Sequence, residues 1–560
     1  MGISPRNNSS GRVLAGHAGE HARAVFGNYG IDTMWTLSGA HVFPLYDAAT
    51  QSDPPMRLID VRHEQTAVFG AEATAKLTRR PGLAVVTAGP GVTNAVSGIA
   101  QAAASGVPLL TIGGRAPQFR WGSGALQELD HPPLVAPVTK WAVTARTTAE
   151  VAGVLDEAVR LADASPRGPV FVDVPMDELY GRAEVTIPEP ATRERLAPHP
   201  DDLTRVAALL ADAERPVLVL GSDVWMDNAD EAALRFAEST GVPVITNGMG
   251  RGVLPGGHRL LVTRARSAAF KGADLVLVAG TPLDFRLGYG VFGGAESGSP
   301  APVVHLVDAP GEIASHVELA GSAAGDLTLV FDGLLDALAQ ELRRPEPGPW
   351  LESLRDAAKA AVERDAPLLT ATADPIHPAR IYGELLPLLG DDAVVIGDGG
   401  DFVSWAGKFI EPKRPGCWLD PGPFGCLGAG AGAAAAARIA RPSSQVVLLY
   451  GDGAAGLSLL DVDTLVRHGL PAVMIVGNNG AWGLEKHPMR FLYGYDVAAD
   501  LRLETGYDAI VRALGGAGET VTRPADIGPA LRRAFDAGVP YLVNVICDPE
   551  VAYPRSTTGV

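Results

Sequence analysis

Short runs of valine, isoleucine and leucine recur along the chain. Each is followed by a glycine- or proline-bearing turn and then an alanine-rich amphipathic stretch. They fall at 83–89 (LAVVTAG), 169–175 (PVFVDVP), 216–221 (PVLVLG), 274–280 (DLVLVAG), 393–399 (AVVIGDG), 445–453 (QVVLLYGDG) and 472–479 (AVMIVGNN). Runs that are apolar at every position, rather than at alternate ones, suit parallel strands buried on both faces. Their alternation with helical stretches predicts an α/β fold of doubly wound parallel sheets. In such sheets ligands bind beyond the carboxyl ends of the strands, where these glycine-rich turns fall.

Stretches rich in proline and charge at 186–202 and 343–349, and a proline-bearing one at 373–378, break the pattern. They predict domains at 1–187, 200–343 and 374–560. The small-residue run at 428–437 (GAGAGAAAAA) is the kind of surface that lets a helix lie close to a neighbour.

Composition agrees with three domains. The chain has 560 residues, against roughly 150 per ordinary domain. Hydrophobic content of 47% and charged content of 20% exclude a disordered chain. A net charge of −18 repels nucleic acid and anionic lipid, so neither is expected as a partner. Cys417, Cys426 and Cys547 are too few and too scattered for a disulfide framework or a zinc site. No apolar run approaches the ~20 residues of a membrane helix. The polar first residues introduce no signal-peptide core, and the last ones match no retention signal. The expectation is a cytoplasmic protein.

The chemistry concentrates at two turns. Gly451-Asp452-Gly453 follows one apolar run and Asn478-Asn479-Gly480 follows the next, with residues 454–477 between them, enough for one crossover helix. Adjacent parallel strands would bring Asp452 and Asn479 to one sheet edge. A carboxylate, an amide oxygen and a backbone carbonyl are hard ligands suited to Mg²⁺, which completes its octahedron with phosphate oxygens and water. The glycines let backbone N–H groups approach a diphosphate. Asp-Gly alone is an ordinary turn; the pair of turns at this spacing is far more specific.

This arrangement resembles the diphosphate-binding motif of thiamine-diphosphate enzymes, and the resemblance extends from Gly16 to Pro554. It implies pyrimidine-binding, middle and diphosphate-binding domains, in that order. It further implies that Asp452 and Asn479 hold Mg²⁺ by their side chains and Ala481 by its carbonyl. Gly451, Gly453, Ala454, Trp482 and Gly483 would line the cofactor, with Gly399, Gly400, Asp401 and Phe402 on a neighbouring turn. Glu64, in LIDVRHEQTAVFGAEATAK, corresponds to the glutamate that hydrogen-bonds the pyrimidine ring, although alone it reads as a helix-start carboxylate. The stretch AGPGVTNAVSGIAQAAASGVPLL (88–110) fits the same domain. Gly425 and Leu427, in GPFGCLGAGAG, would supply the turn and the apolar wedge that bends the cofactor; a plain core leucine is the alternative. Family sites lie between two chains, which implies a homodimer at minimum and a tetramer by analogy.

Within the family, 247–258 (NGMGRGVLPGGH), 280–290 (GTPLDFRLGYG) and 548–557 (DPEVAYPRST) resemble the oxalyl-CoA decarboxylase and 2-hydroxyacyl-CoA lyase branch. Bacterial lyases acting on 2-hydroxyisobutyryl-CoA belong there. The implied reaction cleaves a 2-hydroxyacyl-CoA to formyl-CoA and an aldehyde or ketone. Acetolactate synthases share the plan but carry Phe-Gln where this chain has Leu126-Gln127. Their flavin-contacting pattern is missing from 280–290, so FAD is not expected. Some relatives bind ADP in the middle domain, for which no specific motif is found. Glu485, Gln127 and His41 are the candidate acid/base groups, with Glu128 and His63 behind them. Glu485 could instead be a surface group paired with Lys486, and His41 a helix cap. Leu126 and Leu484 would shape the acyl pocket. Coenzyme A is anionic, so Arg251, Arg264, Arg266, Lys271 and Arg555 are candidate contacts, each also readable as a solvated surface charge. The tail from Asp548, with Tyr553-Pro554, would close as a lid. Acetolactate synthesis from pyruvate and oxalyl-CoA decarboxylation are the rival reactions. A silent paralogue would lack Glu64, Asp452 or Asn479, and all three are present.

Overall fold

A computed structural model describes residues 11–294, 298–341 and 347–554. Three parallel sheets, flanked by helices, make up three α/β domains. By contacts the chain forms two compact units. The first unit comprises the chain up to Glu194 together with 421–442 and 458–470; the second comprises 195–420, 443–457 and the chain from Pro471 onward.

In the first unit an antiparallel ribbon joins β1 (Gly11–His17) to β8 (Arg182–Pro188). Between them run β2 (Thr33–Thr36), β3 (Arg57–Asp60), β4 (Gly82–Val86), β5 (Leu109–Arg115), β6 (Trp141–Thr144) and β7 (Pro169–Pro175), in the sheet order β3-β2-β4-β5-β7-β6. Every residue of β4, β5 and β7 is buried, as strands covered on both faces require.

The helix Glu64–Thr78 is the spine of this unit. His63 caps it through its side chain, accepting from the Gln65 amide at 3.1 Å, and Arg79 ends it in the left-handed region. The alanine-rich run forms the helix Gly430–Ala440, which packs on that spine. A Cβ at Gly432 would stand 2.9 Å from the Thr66 carbonyl oxygen, so the small side chains permit a close backbone approach.

The second unit holds two sheets. One contains β9 (Pro216–Leu220), β10 (Val244–Thr246), β11 (Leu275–Ala279), β12 (Val303–Val307) and β13 (Gly321–Ala324), ordered β10-β9-β11-β12-β13. The other contains β14 (Val394–Asp398), β15 (Trp418–Leu419), β16 (Val446–Gly451), β17 (Val473–Asn478), β18 (Ala517–Val521) and β19 (Tyr541–Ile546), ordered β15-β14-β16-β17-β19-β18. The chain winds outward from β14 in both directions, so the switch point, and hence the expected crevice, lies where β14 and β16 end.

Two details depart from the sequence reading. The crossover after Asp452 is not one helix: it breaks into Asp452–Ser458, a single turn at Leu459–Asp461, and Val462–Arg467. The break is fixed within the first unit, where the buried Asp461 carboxylate accepts from the Arg62 amide at 2.7 Å and the Thr66 hydroxyl at 2.6 Å. The proline- and charge-rich stretch at 186–202 is likewise partly ordered, since β8 runs to Pro188 and a helix begins at Pro200.

Candidate active site

In the second unit, three turns meet at the carboxyl ends of adjacent strands. Gly399-Gly400 follows β14, Asp452-Gly453 follows β16, and Asn479-Gly480-Ala481 follows β17. Their glycines are there for space. Gly399 has φ +146°, and a Cβ on it would stand 2.8 Å from the Gly451 nitrogen. A Cβ at Gly400 would meet Leu484 at 2.3 Å, and one at Gly453 would meet the Trp482 ring at 2.4 Å. Phe402 packs in the same manner over Gly477 of β17, so the 399–402 turn is fastened to the neighbouring strand.

Asp452 is buried at the centre of this cradle. Its Oδ1 accepts from the Gly453 amide at 3.0 Å, while its Oδ2 is buried with no hydrogen-bond partner. Burial pushes its carboxyl up to about 6; the amides of Gly453, Gly480 and Ala481 pull the other way. A buried carboxylate oxygen facing amide donors, with one oxygen unused, is a site that a cation would complete. Asn479 Oδ1 accepts from the Ala481 amide at 3.2 Å, which folds the turn and keeps a lone pair available. Asn478, the other residue of the pair, is structural: its amide donates to the Leu503 carbonyl and to Asn544 Oδ1.

Asp401 begins the helix Asp401–Phe409 and accepts from the Tyr553 amide at 3.0 Å. The Tyr553 ring stands edge-on to Trp405, with centroids 5.0 Å apart. The described end of the tail is therefore docked on the element that follows Gly399-Gly400. Ala454 is buried; Leu484 and Glu485 open the helix Gly483–Tyr493. Glu485 is exposed and is not paired with Lys486, which bonds Asp500 instead.

In the first unit, Glu64 is buried at the first turn of its helix. Asn94, on the helix Pro90–Ala104, donates to Glu64 Oε2 at 3.0 Å. Nothing in the local sequence marked Asn94; only its place in the 88–110 stretch did. A second cluster joins His41, Thr87 and Gln127. His41 is buried, not a cap, and its Nδ1 lies 3.0 Å from Thr87 Oγ1, which in turn donates to Gln127 Oε1 at 3.4 Å. Burial lowers the His41 pKa, the Leu126 carbonyl opposes that shift, and His131 adds to it. Gln127 has φ +60°, a left-handed conformation costing about 1–3 kcal/mol for a non-glycine residue. Such strain persists only where the surroundings enforce it. Leu126 beside it is 78% exposed.

Two weaker candidates are structural. Glu128 accepts from the Gly122 and Ala125 amides and ties its loop, and His63 is the exposed cap noted above. Gly425, with φ +71°, and the half-buried Leu427 lie in the 421–442 segment, which belongs to the first unit. Next to them Cys426 reaches the Ser97 carbonyl.

The expectation of surface cations for coenzyme A is corrected at three positions. Arg251 is buried, with its guanidinium 4.3 Å over the Trp418 ring and bonded to the Gly407 and Ile410 carbonyls. Arg264 pairs with Asp365 and bonds the Lys408 carbonyl. Arg266 bonds the Arg286 carbonyl over the Phe270 ring, and burial lowers its pKa to about 10. Lys271 is exposed. Arg555 lies outside the described residues. Among the described residues no helix is long and apolar enough to cross a membrane.

Comparison with known proteins matches three stretches of the chain to thiamine pyrophosphate enzyme families: the N-terminal TPP binding domain at 17–134, the central domain at 203–334 and the C-terminal TPP binding domain at 398–545. A probable acetolactate synthase of Mycobacterium bovis is 49% identical over 544 residues, covering 96% of this chain and 97% of that one. Proteins named 2-hydroxyacyl-CoA lyase 2 are also similar. The one from Homo sapiens is 33% identical, covering 95% of this chain and 90% of that one. The one from Danio rerio is 32% identical, covering 95% and 91%.

Proposed function

The chain belongs to the thiamine pyrophosphate enzymes, and on that premise we propose that it cleaves a 2-hydroxyacyl-CoA between its first and second carbons. The products are formyl-CoA and an aldehyde or ketone, with 2-hydroxyisobutyryl-CoA giving acetone as the type case. Thiamine diphosphate, when bound, supplies a carbon nucleophile for the thioester carbonyl and an electron sink for the bond that breaks.

The residues present fit that cofactor. Asp452, whose Oδ2 has no protein partner, Asn479 and the Ala481 carbonyl would hold Mg²⁺ against the diphosphate. Gly399, Gly400 and Gly453 leave room where a Cβ would fill the cradle. Glu64, oriented by Asn94, would hydrogen-bond the pyrimidine ring. Gln127, held by Thr87 and His41, would orient the substrate oxygens. Glu485, exposed at the start of its helix, would take the proton of the 2-hydroxyl group and return one to the formyl carbon. Dimeric or tetrameric assembly belongs to the same proposal.

The observation that carries this reaction over its rivals is the Leu126-Gln127 pair. Gln127 is held in a strained conformation beside a side chain smaller than the synthases' phenylalanine, which leaves space for a branched acyl group. The relatives named 2-hydroxyacyl-CoA lyase 2 support it.

A second reading, condensation of two pyruvates to acetolactate with loss of CO₂, is favoured by the relatives at 49% identity. It also draws on the internal commitment of Arg251, Arg264 and Arg266, which removes three cations from any coenzyme A site. One experiment separates the two. Protein loaded with thiamine diphosphate and Mg²⁺ is incubated with a panel of 2-hydroxyacyl-CoAs, oxalyl-CoA and pyruvate, and the products are identified by mass spectrometry. Formyl-CoA from a 2-hydroxyacyl-CoA supports the lyase. Acetolactate from pyruvate, with no formyl-CoA, replaces it with the synthase.

A further inference from the structure

Beneath the Gln127 loop in the first unit lies a buried polar chain that the reaction above does not use. His131 and Asp173 are both fully buried. His131 Nε2 accepts from the Gly89 amide at 2.9 Å, and its Nδ1 lies 2.9 Å from Asp173 Oδ2. The backbone amide can only donate, so Nε2 must carry the lone pair and the ring proton sits on Nδ1, directed at Asp173. Arg115 donates to the same Asp173 oxygen at 2.9 Å and to Asp130 Oδ1 at 2.9 Å, with its guanidinium 3.9 Å over the Trp121 ring.

What this chain grips is a junction. Gly89 has φ +57° and caps the helix that carries Asn94, the partner of Glu64. Its Cα also faces the strained residue: a Cβ there would stand 2.9 Å from Gln127 Cβ and 3.1 Å from the Gln127 carbonyl oxygen. One end of the chain thus holds Gly89 and the other holds Asp130, three residues past Gln127, so the loop is clamped on both sides.

We propose that Arg115, Asp173 and His131 are positioning residues that fix the Gly89 turn, and through it the placement of Gln127 and of the Asn94–Glu64 pair. The proposal rests on Gln127 and Glu64 serving the reaction. A shift of about 1 Å in such groups costs roughly 100-fold in rate without unfolding the protein.

Two amide variants with similar chemistry test it. In His131→Gln the longer side chain can put an acceptor where Nε2 stands, whereas in His131→Asn the amide reaches only the Nδ1 position, keeping Asp173 and losing Gly89. The substrate is whichever one the wild-type holoenzyme turns over. The Asn variant should lose about 10- to 100-fold in kcat with the KM for thiamine diphosphate unchanged, and the Gln variant should recover most of it. Hydrogen exchange of the peptide containing Gly89 should quicken in the Asn variant alone. This readout needs no substrate, so it judges the clamp even if no proposed substrate reacts. In a Gln127→Ala background, His131→Asn should cost less than in the wild type, and what remains is the loss carried through the Asn94–Glu64 pair.

Equal losses in the Asn and Gln variants, or full additivity with Gln127→Ala, would overturn the proposal. Unchanged Gly89 exchange in a folded Asn variant would do the same. Should His131→Asn fail to fold, the Gln variant decides: wild-type kcat with wild-type Gly89 protection supports the clamp, and wild-type kcat with Gly89 protection lost removes it.

Discussion

Asn94 and Glu64 face each other from neighbouring helices of the first unit, the amide of one donating to the carboxylate of the other at 3.0 Å. Hydrogen bonds to charged groups are worth about 1.5–3 kcal/mol. Asn94→Ala should therefore cost about 10- to 100-fold in kcat by releasing the carboxylate from one orientation. Glu64→Gln should be more severe while leaving cofactor affinity nearly intact, because the proposed diphosphate cradle at Asp452 and Asn479 is untouched. Steady-state kinetics beside calorimetric titration of thiamine diphosphate separate the two effects. An Asn94→Ala enzyme with wild-type kcat would show that Glu64 needs no such partner.

Asp461 holds the same turn from the other side. Its carboxylate takes the Arg62 amide and the Thr66 hydroxyl, and burial raises its pKa against those donors. Asp461→Ala strips partners from a half-buried amide and a buried hydroxyl flanking Glu64, a loss of about 1–3 kcal/mol. The expected result is a lower urea midpoint together with reduced kcat. Asp461→Asn, which can still accept one bond, should fall between the variant and the wild type.

The turns Gly451-Gly453 and Asn478-Gly480 were legible because their message is local: a glycine turn at the end of an uninterrupted apolar strand. The parallel sheets were legible for the same reason. Short strands such as Arg57–Asp60 and Trp418–Leu419 were not, since so few residues carry no pattern. Asn94, Thr87 and Asp461 act through side-chain hydrogen bonds to residues distant in sequence, and no spacing rule announces such bonds. Arg251 and Arg264 misled for the complementary reason: in the sequence a guanidinium looks free until tertiary packing supplies carbonyls, a carboxylate and an aromatic face. The assignment of 421–442 and 458–470 to the first unit rests on helix packing, to which strand patterns are blind.

Asp452 sets stability against function. Its carboxyl titrates near 6 in the fold against an ordinary 3.8. The raised value means the folded state keeps its proton when the unfolded chain has already released it. Below about pH 4 the group makes no difference. Stability is lost as pH rises from about 4 to 6, and the full penalty, on the order of 2–3 kcal/mol, applies above that. Asp452→Asn keeps an acceptor for the Gly453 amide and removes the buried charge. Without cofactor it should therefore melt higher than the wild type at about pH 7.5, with the gap closing toward pH 4. With thiamine diphosphate and Mg²⁺ the order should reverse, because only the carboxylate gains from the cation. A cofactor-free variant melting below the wild type at neutral pH contradicts the assignment.

Gly453 faces the Trp482 ring so closely that any side chain must displace one of them. Gly453→Ala should cost about 1–3 kcal/mol by overpacking and weaken cofactor binding by shifting the Asp452 turn. Gly453→Ala combined with Trp482→Ala should recover part of the affinity, a non-additivity that a calorimetric double-mutant cycle detects. Simple addition of the two losses would mean that the ring and the turn are not in register.

On the proposed reading, Leu126 discriminates between substrates instead of between active and inactive enzyme. It is exposed, it precedes a residue locked at φ +60°, and its side chain takes no part in holding that conformation: the Gly89 turn, Thr87 and the Glu128 bonds do so. Leu126→Phe can therefore enlarge the side chain without releasing Gln127. An acyl group branched at the second carbon, which leaves as a ketone, should then meet the ring, while one that leaves as a small aldehyde should not. Pocket contacts of this size are worth about 1–3 kcal/mol. The ratio of kcat/KM for an aldehyde-releasing over a ketone-releasing 2-hydroxyacyl-CoA should accordingly rise about 10-fold or more, read in direct competition by mass spectrometry. Equal loss on both substrates would place Leu126 outside the acyl pocket, and with it would go the main ground for preferring the lyase to the synthase.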